Sequence, residues 1–219
     1  MQGEETKFPS VADARLAGLF AYNDQRKRSS RENLLLAATE LFCRQGYAAV
    51  TVEDITAEAG VSRVTFYRHF PTKAAVALEL FERAAEIAAP RMLAIGACDY
   101  LDRATVVEWL RDFFNLNCDM QGILRVLSQA NVEEADFSQQ VRPYIFGMVK
   151  ALGRTIPAFA VDADLPDDQR RWVKAWLLIY TILDQSNHAA TTQGVATNPM
   201  MIEVLADIFL DFVGKEPNS

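Results

Sequence analysis

The sequence predicts an all-α protein in which a three-helix N-terminal domain precedes a larger helical domain. Three observations carry this expectation. Apolar residues recur at three- and four-residue spacing along most of the 219 residues, the period of one buried helix face. Ser or Thr stands just ahead of four of these patterns, at Ser29, Thr51, Ser62 and Thr72, where a side-chain oxygen can accept from freed backbone N–H groups. Gly and Pro then divide the pattern at Gly46, Gly60, Pro90, Gly153, the Pro157-to-Pro166 stretch and the Gly194-to-Pro199 stretch.

Each element follows from these signals. Residues 1–28 form an extension in which Val11, Ala14, Leu19 and Tyr22 allow a short helix. It ends in a basic stretch, Gln25 to Arg31, suited to an arm that contacts phosphates or a minor groove, with Arg28 as a candidate contact. Ser29 and Glu32 make a capping box for a first helix, which runs through Leu35, Ala38, Leu41 and Phe42 to a stop at Gly46. Thr51 and Asp54 open a second helix with Val52, Ile55 and Ala59 on one face. Gly60 suits a left-handed position after that helix, and Ser62 caps a third, in which Phe66 and Phe70 point inward. Thr72 caps a fourth helix that carries Lys73 in its first turn and reaches Ala89, where Pro90 ends or kinks it. Beyond lie helical patterns over roughly 90–99, 103–118, 119–132, 136–155, 166–191 and 198–213.

A short helix, a glycine turn and a second capped helix constitute a helix-turn-helix, whose second helix enters the major groove of DNA. Arg63, Thr65, Tyr67, Arg68 and His69 cannot all be buried on a helix this short, so several of these donors project outward. Lys73 opposes the dipole of its own helix, a cost of a few tenths of a kcal/mol that a bound phosphate would remove. The segment from about residue 31 to 79 resembles the DNA-binding domain of the TetR family of bacterial transcriptional regulators. The resemblance rests on Ala37-Ala38, Leu41-Phe42, Gly46-Tyr47, Thr51-Val52, Ile55, Ala59-Gly60-Val61-Ser62, Thr65-Phe66-Tyr67, His69-Phe70 and Lys73. Three residues depart from the family pattern. Val64 stands where Gly or another small residue is frequent, Thr56 where Ala is usual, and Leu36 where a polar residue is usual.

The resemblance implies a cytoplasmic homodimer whose N-terminal heads read a palindromic operator, and whose trunk binds a small molecule that releases the DNA. It places the head at 29–75 and the effector-binding and dimerisation domain at 76–219. Arg63 and Thr65 are the expected base contacts, with Val64 and Arg68 on the same helix beside them. Thr51, Ser62, Tyr67, His69 and Lys73 are expected to hold phosphates and set register. In the trunk, large side chains recur at helical spacing. Trp109, Phe113, Asn117, Met120, Tyr144, Met148 and Trp176 are candidates for the wall of an effector cavity. Leu178, Leu183, His188, Leu205, Ile208, Phe209 and Phe212, on the last two helices, are candidates for the dimer interface. The polar run Asp184 to His188 would hydrogen-bond across the two-fold axis.

Charge distribution fits this organisation better than total charge does. A net charge of −7 is not the usual footprint of a nucleic-acid protein. Residues 24–75, however, hold eight Lys/Arg against six Asp/Glu, whereas residues 76–219 hold 12 against 20. The positive charge sits at the end with the motif, and an acidic body would turn that end toward a duplex. No apolar run approaches the 18 or so residues of a membrane span, and the acidic N-terminus lacks a secretion-signal pattern. Three widely spaced cysteines, Cys43, Cys98 and Cys118, suggest neither a disulfide framework nor a zinc site. Only His69 and His188 supply imidazoles, and no phosphate loop, nucleophile elbow or metal-ligand spacing is present, so neither an enzyme nor a cofactor is expected. The rival reading is a helical small-molecule-binding or adaptor protein without DNA function.

Overall fold

A computed structural model describes residues 30–191 and 199–214, and every regular element among them is helical. The head comprises α1 (Ser30–Gln45), α2 (Val52–Glu58) and α3 (Arg63–His69). The long α4 (Lys73–Leu93) joins it to a trunk of α5 (Arg103–Asp119), α6 (Gln121–Glu133), α7 (Phe137–Leu152), α8 (Gln169–Thr191) and α9 (Pro199–Val213). Short 3-10 turns at Ala94–Ala97 and Pro157–Phe159 close α4 and the loop after α7.

Pro90 neither ends nor breaks α4, which continues to Leu93. Proline removes one bond to the carbonyl four residues back, here that of Glu86. Both residues are exposed, so water can take the freed carbonyl. The 90–99 pattern is therefore the last turn of α4 plus a 3-10 turn, not a separate helix.

Two apolar cores are stacked along the molecule. The first gathers Leu34, Leu41, Phe42, Tyr47, Ile55, Phe66 and Phe70 from the head with Leu116, Met120, Ile123, Leu127 and Phe137 from the trunk. The second holds Trp109, Phe113, Phe114, Leu152, Phe159, Leu178, Ile182, Leu205 and Phe209. Helix α5 enters both, and packs against α4, α8 and α9. The boundary expected between residues 75 and 76 thus falls inside one continuous helix, and a single core crosses it. Helices α4 and α6 both pack against α1 of the head.

Candidate nucleic-acid interface

The turn that presents α3 is built entirely from local chemistry. Thr51 Oγ1 accepts from the N–H of Asp54 while the Asp54 carboxylate accepts from the N–H of Thr51, completing the expected capping box. The Thr51 hydroxyl, which donates to the Asp54 carboxylate at 2.6 Å, and then the Thr51 N–H hold the Asp54 carboxyl below its ordinary range. At the other end of α2, Gly60 adopts φ +66. Its N–H reaches the Ala57 carbonyl at 3.2 Å, and the Val61 N–H reaches that of Thr56 at 3.0 Å. This pair of bonds is a Schellman closure, and a side chain at the left-handed residue would strain it. Thr56 is buried, but its hydroxyl donates to the Glu53 carbonyl at 3.0 Å, so the polar intrusion is satisfied. Ser62 Oγ then accepts from the Thr65 N–H at 3.1 Å and starts α3. Phe66 and Phe70 are buried beneath it as expected.

The outward face of α3 carries Arg63, Val64, Tyr67 and Arg68, with Val64 78% and Tyr67 49% exposed. Thr51 and Ser62 are exposed at its margin. The side chains are not all free. Arg63 forms an ion pair with Glu53 of α2, and its guanidinium lies 6.0 Å from the Tyr67 ring centre. The Thr65 hydroxyl lies 3.0 Å from Ser62 Oγ. Arg28 lies outside the described residues.

Two expected phosphate holders point elsewhere. Lys73 Nζ donates to the carbonyls of Tyr47 and Val50 at 2.9 and 3.0 Å and sits 4.1 Å from the centre of the Tyr47 ring. Those carbonyls lie in the loop between α1 and α2, so the ammonium ties that loop to the start of α4 instead of facing outward. Burial pushes its pKa down, partly offset by Glu134 and Glu133. His69 is half-buried, and its Nε2 is enclosed without a partner among the described residues. The helical period explains this placement, since residue 69 lies three positions after the buried Phe66.

Two structural joints escaped the sequence reading. Glu79 of α4 is 9% exposed and is bracketed by Arg31 of α1 and by Arg83, which also holds Glu32 in a two-pronged pair at 2.7 and 3.2 Å. Arg31 additionally stacks 4.9 Å from the Phe70 ring centre. At the opposite side, the Tyr47 hydroxyl donates to Glu134 and its backbone N–H to Gln129, both at 2.6 Å. These bonds pin the end of α1 to the end of α6, and burial, with the bond to Glu134, pushes the Tyr47 phenol far above its usual range. Separations of 48 to 87 residues leave no local trace of such pairings.

The trunk candidates do not line one wall. Trp109 and Phe113 belong to the second core and Met120 to the first. The Trp109 indole donates to the Arg91 carbonyl at 3.1 Å. Asn117 is buried and donates to Ser186 Oγ at 2.6 Å and to Asn187 Oδ1 at 3.3 Å. Ser186 therefore bonds within the chain, not across a two-fold axis. Tyr144 turns outward to donate to Glu82 at 2.9 Å. Met148 and Trp176 are half-buried on the neighbouring helices α7 and α8. Trp176 stacks on Tyr180, and its indole N–H is buried without an acceptor among the described residues.

Of the residues expected at a dimer interface, several are buried within the chain itself. Leu178, Leu205 and Phe209 are core residues of the chain itself. Leu183 and Phe212 are half-buried against that core, Phe212 on the Phe159 ring, and His188 is exposed. The exposed apolar side chains of α8 and α9 are the expected Ile208 together with Val173, Leu177, Tyr180, Met200 and Val204. Both helices carry apolar residues on more than one side, and the packing of α5, α6 and α7 against α8 and of α5 against α9 accompanies the side that is buried.

Comparison with known proteins agrees with this geometry. Residues 34–80 match the family model of bacterial regulatory proteins of the tetR family. Over 55 residues the chain is 49% identical to the HTH-type transcriptional regulator TcmR of Streptomyces glaucescens, covering 25% of this chain and 24% of that one. Over 115 residues it is 30% identical to the HTH-type transcriptional activator FasR of Mycolicibacterium smegmatis, covering 51% and 52%. The matches therefore span about a quarter and about half of these relatives' own lengths. The fold as a whole resembles a TetR-family regulator of Streptomyces coelicolor A3 with a TM-score of 0.56 at 14% identity, covering 88% of this chain and 100% of that chain.

Proposed function

We propose, on the premise that the N-terminal domain of this chain belongs to the TetR family of bacterial regulatory proteins, that the protein is a ligand-responsive transcriptional regulator that binds operator DNA as a homodimer. The observation that carries the proposal is α3, a capped helix held up by buried Phe66 and Phe70 with Arg63, Val64, Tyr67 and Arg68 turned to solvent. Helix α3 enters the major groove, while Thr51, Ser62, Tyr67 and Arg68 meet the phosphates on either side. The basic segment around Arg28 adds charge at the same end.

Two copies pair through the exposed apolar side chains of α8 and α9, as a two-fold interface requires a self-complementary patch. Pairing sets the distance between the two copies of α3 and so selects a roughly palindromic operator. A small-molecule effector binds in the trunk near Met148 and Trp176, where an indole N–H lacks an acceptor and such a donor is costly to leave unmade. Binding there changes the spacing of the heads through α4, with a coupling of about 1–3 kcal/mol. Repression is the sign proposed, and activation is the alternative that the relation to an activator supports.

The test combines sedimentation with fluorescence anisotropy on duplexes selected from a random pool. The expected result is a dimer whose log affinity falls linearly with log salt. A monomer, or no duplex binding at low ionic strength, overturns the reading and favours a helical adaptor.

A further inference from the structure

Within α3 the side chain that projects with least encumbrance is not polar. Val64 is 78% exposed, the most exposed large apolar residue of the head. Its neighbours in sequence are the two residues best suited by type to hydrogen-bond with base edges, and both are engaged inside the head. Arg63 is paired with Glu53 and stacked toward Tyr67, and the Thr65 hydroxyl lies against Ser62 Oγ. An isopropyl group held out in water gains nothing unless something apolar meets it. Of the features that base pairs present in the major groove, the 5-methyl group of thymine is the one that rewards an apolar contact.

We infer that Val64 is a specificity-determining residue that reads the 5-methyl group of one thymine in each half-site. Arg63, paired with Glu53 at the surface of the head, acts beside that contact. This inference rests on the DNA-reading function proposed above and adds the chemistry by which one position is recognised. Burial of a single methyl group against the valine predicts a roughly fourfold change in Kd per half-site. The effect is on sequence preference and leaves the salt dependence as it was, since no charge is involved.

The test uses the full chain and a duplex recovered by selection from a random pool. Each thymine of that duplex is replaced in turn by deoxyuridine, which keeps the Watson–Crick edge and lacks only the methyl group. Affinity is measured by anisotropy at fixed salt for the natural protein, Val64→Ala and Arg63→Ala. The expected result is one thymine per half-site whose replacement weakens the natural protein about fourfold. Val64→Ala should be indifferent to that same replacement, and Arg63→Ala should retain it. Because Val64 is exposed and alanine is the better helix former, the variant should fold normally, which circular dichroism checks. Selective binding with no thymine sensitive to its methyl group overturns the inference while leaving DNA reading intact. So does a Val64→Ala variant that keeps the full sensitivity. Failure to recover any bound duplex overturns the DNA-reading function itself, and this inference with it.

Discussion

Lys73 separates a brace from a phosphate clamp, and Lys73→Met tests which it is. The substitution keeps most of the apolar stem and removes the ammonium. It therefore deletes two charge-assisted bonds, to the carbonyls of Tyr47 at 2.9 Å and Val50 at 3.0 Å, and the contact with the Tyr47 ring at 4.1 Å. A hydrogen bond to a charged group contributes about 1.5–3 kcal/mol when its partner is left unpaired. A cation over a ring adds about 0.5–2 kcal/mol, more as the site is desolvated. Lys73 is half-buried, so water can reach part of the site, and the combined loss is about 2–3 kcal/mol, below the simple sum. For a chain of this size that lowers Tm by roughly 4–12 °C. Thermal unfolding without DNA, at fixed protein concentration, measures it. A parallel salt titration with operator should show an unchanged slope. A phosphate clamp predicts the converse, an unchanged Tm and a slope lower by about one; that outcome would refute the brace.

Four further expectations rest on other contacts of the fold. Glu79→Gln leaves Arg31 and Arg83 with a neutral partner and should cost about 1–3 kcal/mol in chemical denaturation, with faster amide exchange where α1 meets α4. On the proposed pairing through α8 and α9, Leu177→Asp, at a residue 48% exposed, should leave helicity intact and shift sedimentation to a single subunit. Phe209→Ala should instead destabilise the fold by about 3–5 kcal/mol, because that ring is fully enclosed. Acid should loosen the start of α2. The Asp54 pKa is lowered by its bonds to Thr51, so its contribution is present above the ordinary carboxylate pKa of about 3.9. It is lost as pH falls through the lower folded value, and the Thr51 and Asp54 amide resonances should report the change.

The head was legible because its determinants are close together in sequence. Capping reaches three residues, the Gly60 closure reaches five, and the inward pair of Phe66 and Phe70 spans one helical turn. Lys73 and His69 were misread at the level of single side chains. Residue type and helix position told where each begins but not which acceptor or enclosure it meets. In the trunk the sequence supplied helices and apolar stripes, yet α8 and α9 each carry two apolar faces. Leu178 and Leu177 are equally apolar and adjacent, and only the packing of the trunk helices buries the first and leaves the second in water.

The chain by itself determined the helical class, the turn that lifts α3, and the identities of the residues on it. Periodicity and capping act within a few residues and need no distant partner. Tertiary structure alone decided that one core joins head and trunk, that Lys73 braces a loop, and that Val64 projects while Arg63 is held by Glu53. Those outcomes depend on contacts between segments far apart in sequence or on competing helix faces. The free energy of such contacts is set by which surface the folded neighbour offers.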